Sequence, residues 1–273
     1  MRFAFKIILV IIFFYPLNIF ASAWNLPKGK IQTIHSFYYN KITQLYDREG
    51  IKRPQGDFLK YEYKPYLGYG ILEDLTIGFS PSMQMVQAKT IFGDFTDSNY
   101  GLVFTEFFGR INLLRENNHI ISTELGFELP GFYSSRETPE FGTKDFFTSA
   151  KISYGLGGSF YFLNLDTAIR NRPYDNLDFR DERAGVQSIN TAKIGLDYKQ
   201  EYKVELGVMH TKSLSNYARF TNTARYGFDV TRSEINLIKK IGQSEVVIGF
   251  MRDIEGRNVG KSRITMLSLR KSF

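Results

Sequence analysis

The sequence predicts an all-β protein, a 12-stranded antiparallel transmembrane up-and-down β-barrel formed after removal of a signal peptide. Three observations predict it. The stretch from Phe58 to Val86 alternates by parity: Leu59, Tyr61, Tyr63, Pro65, Leu67, Tyr69 and Ile71 form one face, while Lys60, Glu62, Lys64, Gly68 and Gly70 form the other. After a turn around Glu73, Leu75, Ile77, Phe79, Pro81, Met83 and Met85 resume the apolar row opposite Thr76, Gly78, Ser80, Ser82 and Gln84. This is a two-sided β-hairpin, and each arm has the length of a tilted strand that crosses a bilayer. Next, long polar connections alternate with tight turns along the chain, which outer-membrane barrels show and a soluble sandwich has no reason to show. Finally, residues 1–23 follow the secretory pattern, with Arg2 and Lys6 before an apolar run from Ile7 to Phe20 and the small-residue site Ala21-Ser22-Ala23.

The elements follow in order. A β-branched and aromatic first strand runs from Lys28 to Tyr39, and a long polar segment from Asn40 to Asp57, with Pro54 and Gly56, leads to the opening hairpin. A long loop from Lys89 to Asn99 precedes the fourth strand, Tyr100 to Leu113, which turns tightly at residues 115–118 into HIISTELGFEL. Strands six and seven flank Gly157-Gly158 and lie between long loops at 130–144 and 173–188. Strand six sets Phe146, Ala150, Ile152 and Tyr154 opposite Ser149, Lys151, Ser153 and Gly155; strand seven sets Tyr161, Leu163, Leu165 and Ile169 opposite Asn164, Asp166, Arg170 and Arg172. NTAKIGLDYK and YKVELGVMHT meet near Gln200, and a fifth long loop spans 212–225. FDVTRSEINLI and EVVIGFM follow, then a last loop at 253–261 and the terminal strand RITMLSLRKSF. The register is expected to be centred on Glu73, so that Pro65 faces Pro81, Leu67 faces Phe79 and Tyr69 faces Ile77. In a non-hydrogen-bonded pair the two prolines would need no N–H for each other, and the missing donors would point to strands one and four.

Cleavage after Ala23 leaves a single barrel domain, 24–273, with 33 Lys and Arg against 28 Asp and Glu. The small basic excess is spread along the chain, so no basic stripe for nucleic acid exists. No other segment is long and apolar enough for a transmembrane helix, which leaves the closed barrel as the way to satisfy every backbone group in lipid. The chain has no cysteine, hence no disulfide framework, thiolate metal site or thiol nucleophile.

Ala23-Trp24-Asn25-Leu26-Pro27-Lys28-Gly29, with Pro-Tyr-Leu-Gly-Tyr-Gly at 65–70 and Leu-Thr-Ile-Gly at 75–78, is similar to a family of proteobacterial barrels related to the outer-membrane proteins of phenol-degradation operons. That resemblance implies a barrel in the outer membrane of a Gram-negative bacterium and a role in transport of small molecules, with no catalytic residues. The terminal Phe273, spaced from Leu269 and Leu267, resembles the signal read by the barrel-assembly machinery, from which Lys271 departs.

The inward face is unusually charged. Lys60, Glu62, Lys64, Glu106, Arg110, Glu124, Glu128, Lys151, Asp166, Arg170, Lys193, Asp197, Glu205, Arg232 and Glu234 are expected to line the lumen. Interleaved signs suit either a selective pore or a salt-bridged interior that holds the wall together. Glycines at 68, 70, 78, 126, 155, 195, 207 and 249 on the polar face are expected to leave room for a narrow pore.

Other chemistry is weakly supported. His210 shares parity with Val204, Leu206 and Val208, where an outer-membrane lipase would keep its base, but position 212 is Lys, not a serine. His35 and Ser36 are neighbours and point to opposite faces. Asp175, Asp178, Asp181 and Glu182 are interspersed with Arg180 and Arg183 and lack Ca-loop spacing, so a solvated loop is expected and no metal or cofactor is assigned. Gly155-Leu156-Gly157-Gly158 opens no helix and is no phosphate loop. The functional expectation is a small outer-membrane channel or transport protein for small polar or amphipathic solutes. The alternatives are a non-conducting surface barrel whose long loops bind a partner, and an outer-membrane lipase.

Overall fold

Period-two alternation with β-branched and aromatic residues produces twelve strands among the described residues. They are β1 (Ile31–Tyr46), β2 (Lys52–Leu72), β3 (Leu75–Lys89), β4 (Thr96–Glu116), β5 (His119–Pro130), β6 (Phe147–Gly157), β7 (Tyr161–Asn171), β8 (Val186–Tyr198), β9 (Tyr202–Ser213), β10 (Asp229–Ile241), β11 (Ser244–Arg257) and β12 (Val259–Ser272). The computed structural model describes residues 23–89, 96–131, 146–171, 186–199, 201–214 and 228–273. The expected signal peptide up to Ser22, Arg172, Gln200 and the loop carboxylates Asp175, Asp178, Asp181 and Glu182 lie outside the described residues. Every strand pairs antiparallel with its sequence neighbours, and β1 pairs with β12 to close the barrel.

The outward side chains form an apolar belt. Leu67, Phe79, Leu125, Phe127, Leu206, Phe250 and Leu267 are all exposed, while Thr76, Ser82, Ser122, Ser153 and Asn236 on the opposite face are fully buried. A belt of this size on a closed sheet is covered only by lipid, so the strands are transmembrane.

Two connections are shorter than the sequence pattern suggests. β1 and β2 continue to Tyr46 and from Lys52, so most of the expected loop at 40–57 is strand, with a bulge between Ile42 and Gln44. β11 and β12 likewise run to Arg257 and from Val259, which reduces the expected loop at 253–261 to a turn at Asn258 with φ of 50°. The physical reason is that these strands rise past the apolar belt. Above it both faces meet polar surroundings and the alternation that marks a strand fades, and a bulge absorbs an irregular segment without ending the sheet. At the other end the turns are tight, as at Asn117 with φ of 48° between β4 and β5.

The opening hairpin has the expected register: Tyr63 faces Met83, Leu67 faces Phe79 and Tyr69 faces Ile77, which puts Pro65 opposite Pro81. The position in the ladder differs from the expectation. Pairing lapses from Lys64 to Tyr66, whereas on their other sides Pro65 pairs with His35 and Pro81 with Thr105. The prolines therefore occupy the hydrogen-bonded position toward each other, where neither has an N–H to give. Ser80 Oγ donates to Pro65 O at 2.8 Å and satisfies one of the orphaned carbonyls.

Candidate functional site

The lumen is a concave feature of the molecule, and residues 23–30 close one end of it. The chain leaves β1 at the end that carries the tight turns and folds back inside the wall. Gly29, with φ of 77°, makes that reversal, and Gly29 N donates to Gly70 O at 2.8 Å while Gly70 N donates to Lys30 O at 3.0 Å. Leu26 is buried and its N–H donates to Thr76 Oγ1 at 2.8 Å. Arg110 Nη1 donates to Trp24 O at 3.1 Å, and Asn25 Nδ2 bonds the carbonyl of Asp74. Ala23 N reaches Asn164 Oδ1 on β7 at 3.2 Å. The segment thus ties β3, β4 and β7 together across the barrel and acts as a plug.

Most inward glycines are seats, not empty space, contrary to the expectation from the sequence. A Cβ at Gly70 would lie 2.2 Å from Pro27 O, and one at Gly155 would lie 2.5 Å from Trp24 Cη2. At Gly68 the position is taken by Tyr66 and Leu26, at Gly78 by the Phe108 ring and at Gly195 by the Phe162 ring. Ser149 stands over Gly126, and Asn236 with Met266 over Gly249. Gly207 is less crowded, with Glu234 and Lys193 at 3.4 Å. Glycine leaves room only where no neighbour reaches into it, and alternation along one strand carries no information about side chains from another.

The inward charges are paired. Lys60 Nζ lies 2.9 Å from Glu62 Oε2, and Ser82 donates to the other Glu62 oxygen at 2.7 Å. Lys64 pairs with Glu106 at 3.2 Å. Glu124 takes both Arg110 and Lys151 at 2.6 Å, and Glu128 takes Arg170 at 2.5 Å. Lys193 lies 3.2 Å from Glu234 and 3.9 Å from the buried Glu205, which also accepts from Asn236 Nδ2 at 3.1 Å. Lys203 pairs with Asp197 at 3.6 Å. Arg232 pairs at 2.7 Å with Asp253, which is fully buried and also accepts from Ser262 N at 2.8 Å. Asp166 lines the cavity beside the plug. In this geometry the carboxylates other than Asp166 are each held by a cation from the same or a nearby strand, which stiffens the wall while keeping the passage polar.

Several lumen residues escape a reading of single strands. Arg270 lies 3.8 Å from both Glu205 and Glu245. Asp253 sits in a segment that reads as loop. Tyr66, Phe108, Phe147 and Phe162 are aromatic residues at inward positions, and Arg170 stacks over Phe147 with its guanidinium carbon 4.1 Å from the ring centre. Parity does place Tyr66 in the even row of the opening hairpin. Its stacking on Phe108 at 5.6 Å follows only from the pairing of strands.

Beyond the plug the lumen holds a cavity of about 570 Å³. Ile34, Tyr38, Met251, Ile264 and Met266 make an apolar strip on β1, β11 and β12, while Lys60, Glu62 and Lys64 on β2 and Lys193, Arg232 and Glu234 on β8 and β10 make charged walls beside it. A smaller cavity, about 260 Å³, lies against Trp24 and Leu26 and shares Ile34, Thr191, Lys193 and Arg270 with the larger one.

Among the described residues no histidine faces a hydroxyl poised as a nucleophile. His210 Nδ1 lies 3.1 Å from Thr231 Oγ1, but that hydroxyl donates to Glu255 Oε1 at 2.7 Å, so its proton is directed away from the imidazole. His35 and His119 each bond a tyrosine hydroxyl, Tyr63 and Tyr154, at 2.8 Å. Ser36 points inward to Ser268 at 2.7 Å, away from His35. Among the described residues no three His, Asp or Glu side chains converge as a metal site.

No protein-family model and no curated protein matches the chain. Solved structures do. The chain is similar to an outer membrane channel from Pseudomonas putida F1, with a TM-score of 0.79 and 16% identity over 93% of this chain and 98% of that one. It is similar to the transport unit of the autotransporter AIDA-I from Escherichia coli, with a TM-score of 0.56 and 10% identity over 98% and 97% of the two chains. The NanC porin aligns over 86% of this chain and 98% of its own, with a TM-score of 0.51 and 8% identity. At these identities the likeness is one of fold, and the fold is the closed transmembrane β-barrel of outer-membrane proteins.

Proposed function

We propose that this protein is an outer-membrane channel for small amphipathic solutes, closed at its periplasmic end by residues 24–30 of its own chain. The observation that carries the proposal is the larger cavity, in which an apolar strip of Ile34, Tyr38, Met251, Ile264 and Met266 runs beside paired charges. A solute with an apolar body and one polar group finds a partner for each part there, and the paired charges keep the wall hydrated without presenting a net field. The channels and porins among the similar structures support the same reading. The mature chain starts at Trp24, the inward charged residues act as the solute-facing wall, and the C-terminal strand ending in Phe273 is the contact for the assembly machinery.

The plug predicts how conductance responds. Refolded wild-type protein in planar bilayers should give small or brief steps of current. The Trp24→Ala/Leu26→Ala variant, which removes the two largest apolar plug side chains, should give larger and longer ones. Silence of both proteins, with heat-modifiable gel mobility showing folded barrels, would reject the channel and favour a surface barrel that acts through its loops.

A further inference from the structure

The cations of the lumen are paired, but several on the outward face near the loop end meet no carboxylate among the described residues. Arg252 on β11 faces Arg263 on β12, and Arg263 faces Lys41 on β1, so three cations stand side by side in one row across neighbouring strands. Arg252 and Arg263 are exposed. Lys261 lies one side-chain row further toward the loops, where its Nζ donates to Gln44 Oε1 at 3.3 Å and feels the charges of Arg252, Arg263 and Lys52. Like charges directly opposite in a sheet are destabilising. Among the described residues no carboxylate forms an ion pair with Arg252, Arg263, Lys261 or Lys52, and Lys41 meets Asp57 only at 3.8 Å with both side chains nearly half exposed. The fold holds together a cluster of five cations with one carboxylate, Asp57, in ion-pair range of one of them.

One row below begins an apolar groove. Tyr39 and Thr265 face each other immediately beneath the Lys41 and Arg263 pair, followed by Phe37 facing Leu267. With Tyr61, Met83 and Met85 these side chains line a concave, almost wholly apolar depression on the outer wall, and Phe37 stacks on Tyr63 at 4.7 Å at its side. A cation row above an apolar groove on a membrane-facing wall matches an amphiphile with an anionic head and several acyl chains. Facing guanidinium groups suit phosphate, which accepts bidentate hydrogen bonds from each. A second copy of this chain would bring the same cation row and be repelled by it.

We infer that Lys41, Lys52, Arg252, Lys261 and Arg263, with the groove of Phe37, Tyr39, Tyr61 and Leu267, form a binding site for a phosphorylated, multiply acylated lipid of the outer leaflet. The site shares with the channel proposal only the placement of the loop end at the cell surface, and it requires no conduction.

Native mass spectrometry of protein refolded in detergent, titrated with diphosphorylated lipid A, tests it. Wild-type protein should retain the lipid, and Arg252→Ser/Lys261→Ser/Arg263→Ser should bind about a hundredfold more weakly, roughly fivefold for each cation removed near a membrane surface. Dephosphorylated lipid A should bind wild-type protein as weakly as the diphosphorylated lipid binds that variant, and Lys239→Ser, on the far rim, should bind like wild type. Excess inorganic phosphate should leave the lipid in place; full displacement by it would reduce the site to a general anion patch and overturn the lipid assignment. Equal affinity of the triple variant and wild type would overturn it too, as would indifference to dephosphorylation. Heat-modifiable mobility of each variant separates lost binding from lost folding, and Arg252→Ser/Arg263→Ser, which spares the buried Lys261 and its bond to Gln44 Oε1, should bind about twenty-five-fold more weakly at the same fivefold per cation. Conductance is measured apart from this assay, so either proposal can fail alone.

Discussion

Leu67 and Gly78 show how one side chain reads its surroundings. Leu67 faces outward with its partner Phe79, and Leu67→Arg near the bilayer midplane should cost about 2–4 kcal/mol in a lipid refolding titration. Gly78 faces inward, where alternation alone would let an arginine enter the lumen. Its Cβ, however, would lie 2.6 Å from Leu67 O and from the Phe108 ring, so Gly78→Arg should also fail to reach the heat-modifiable form. A folded Gly78→Arg barrel would mean that the Phe108 ring yields. Asp47, in the turn between β1 and β2, has a different task. Its carboxylate accepts from Ile51 N at 2.7 Å, Glu49 N at 3.1 Å and Arg53 Nε at 2.8 Å. Desolvation pushes its pKa up, but the Arg53 and backbone hydrogen bonds outweigh this and hold it below the ordinary carboxylate value. The turn is therefore fully supported above the ordinary pKa and loses that support as pH falls through the depressed one. In an NMR titration the Ile51 and Glu49 amide shifts should move together at a pH below that of free aspartate; a midpoint at or above it would mean the three bonds do not hold the charge.

At the scale of elements, the opening hairpin carries its own weak point. Two facing prolines at a hydrogen-bonded position remove two ladder bonds, and Ser80 closes one gap. Pro65→Val supplies an N–H directed at Pro81 and should raise stability by about 0.5–1.5 kcal/mol, the net worth of one hydrogen bond. The Ser80 hydroxyl serves the Pro65 carbonyl and leaves that of Pro81 open, so an unchanged denaturant midpoint would mean that the new N–H does not reach the Pro81 carbonyl. The plug is the other element with a sharp test, because Trp24 is the only tryptophan in the chain. Gly155→Leu places a side chain where the Trp24 ring lies. Emission should shift to the red and acrylamide quenching should rise, with the far-ultraviolet dichroism of the barrel unchanged. An identical emission spectrum would mean that the ring has another seat.

For the whole molecule, orientation is the quantity to measure, and the absence of cysteine makes it accessible. Single cysteines introduced at Glu49, Asp94, Glu137, Asp181 and Asn222 should react with an impermeant thiol reagent on intact cells. Those at Glu73, Asn117 and Gln200 should react only after the outer membrane is opened. The reverse pattern would invert the barrel and move the plug to the surface. Of these positions Glu49, Glu73 and Asn117 lie in turns between described strands, and the others test connections through the alternation of short and long segments alone.

What the sequence determined by itself is the strand count, the closed antiparallel order, the outward and inward faces, and the register of the opening hairpin. All four follow from the period of two and the spacing of turns, which are properties of neighbours along the chain. The ends of β1, β2, β11 and β12 were not legible, since alternation is a record of the bilayer and stops where the bilayer does. The lumen was legible only in part. Parity identifies Lys64, Glu106 and Arg170 as inward, but whether Lys64 meets Glu106 or Arg170 meets Glu128 depends on the stagger of strands around the closed sheet. Tertiary structure alone decided that residues 23–30 return into the barrel, that Trp24 and the inward aromatic rings fill the space above glycines, and that Arg252, Arg263 and Lys41 stand together. These are contacts between residues far apart in sequence, and closing the barrel is what brings them within reach of one another.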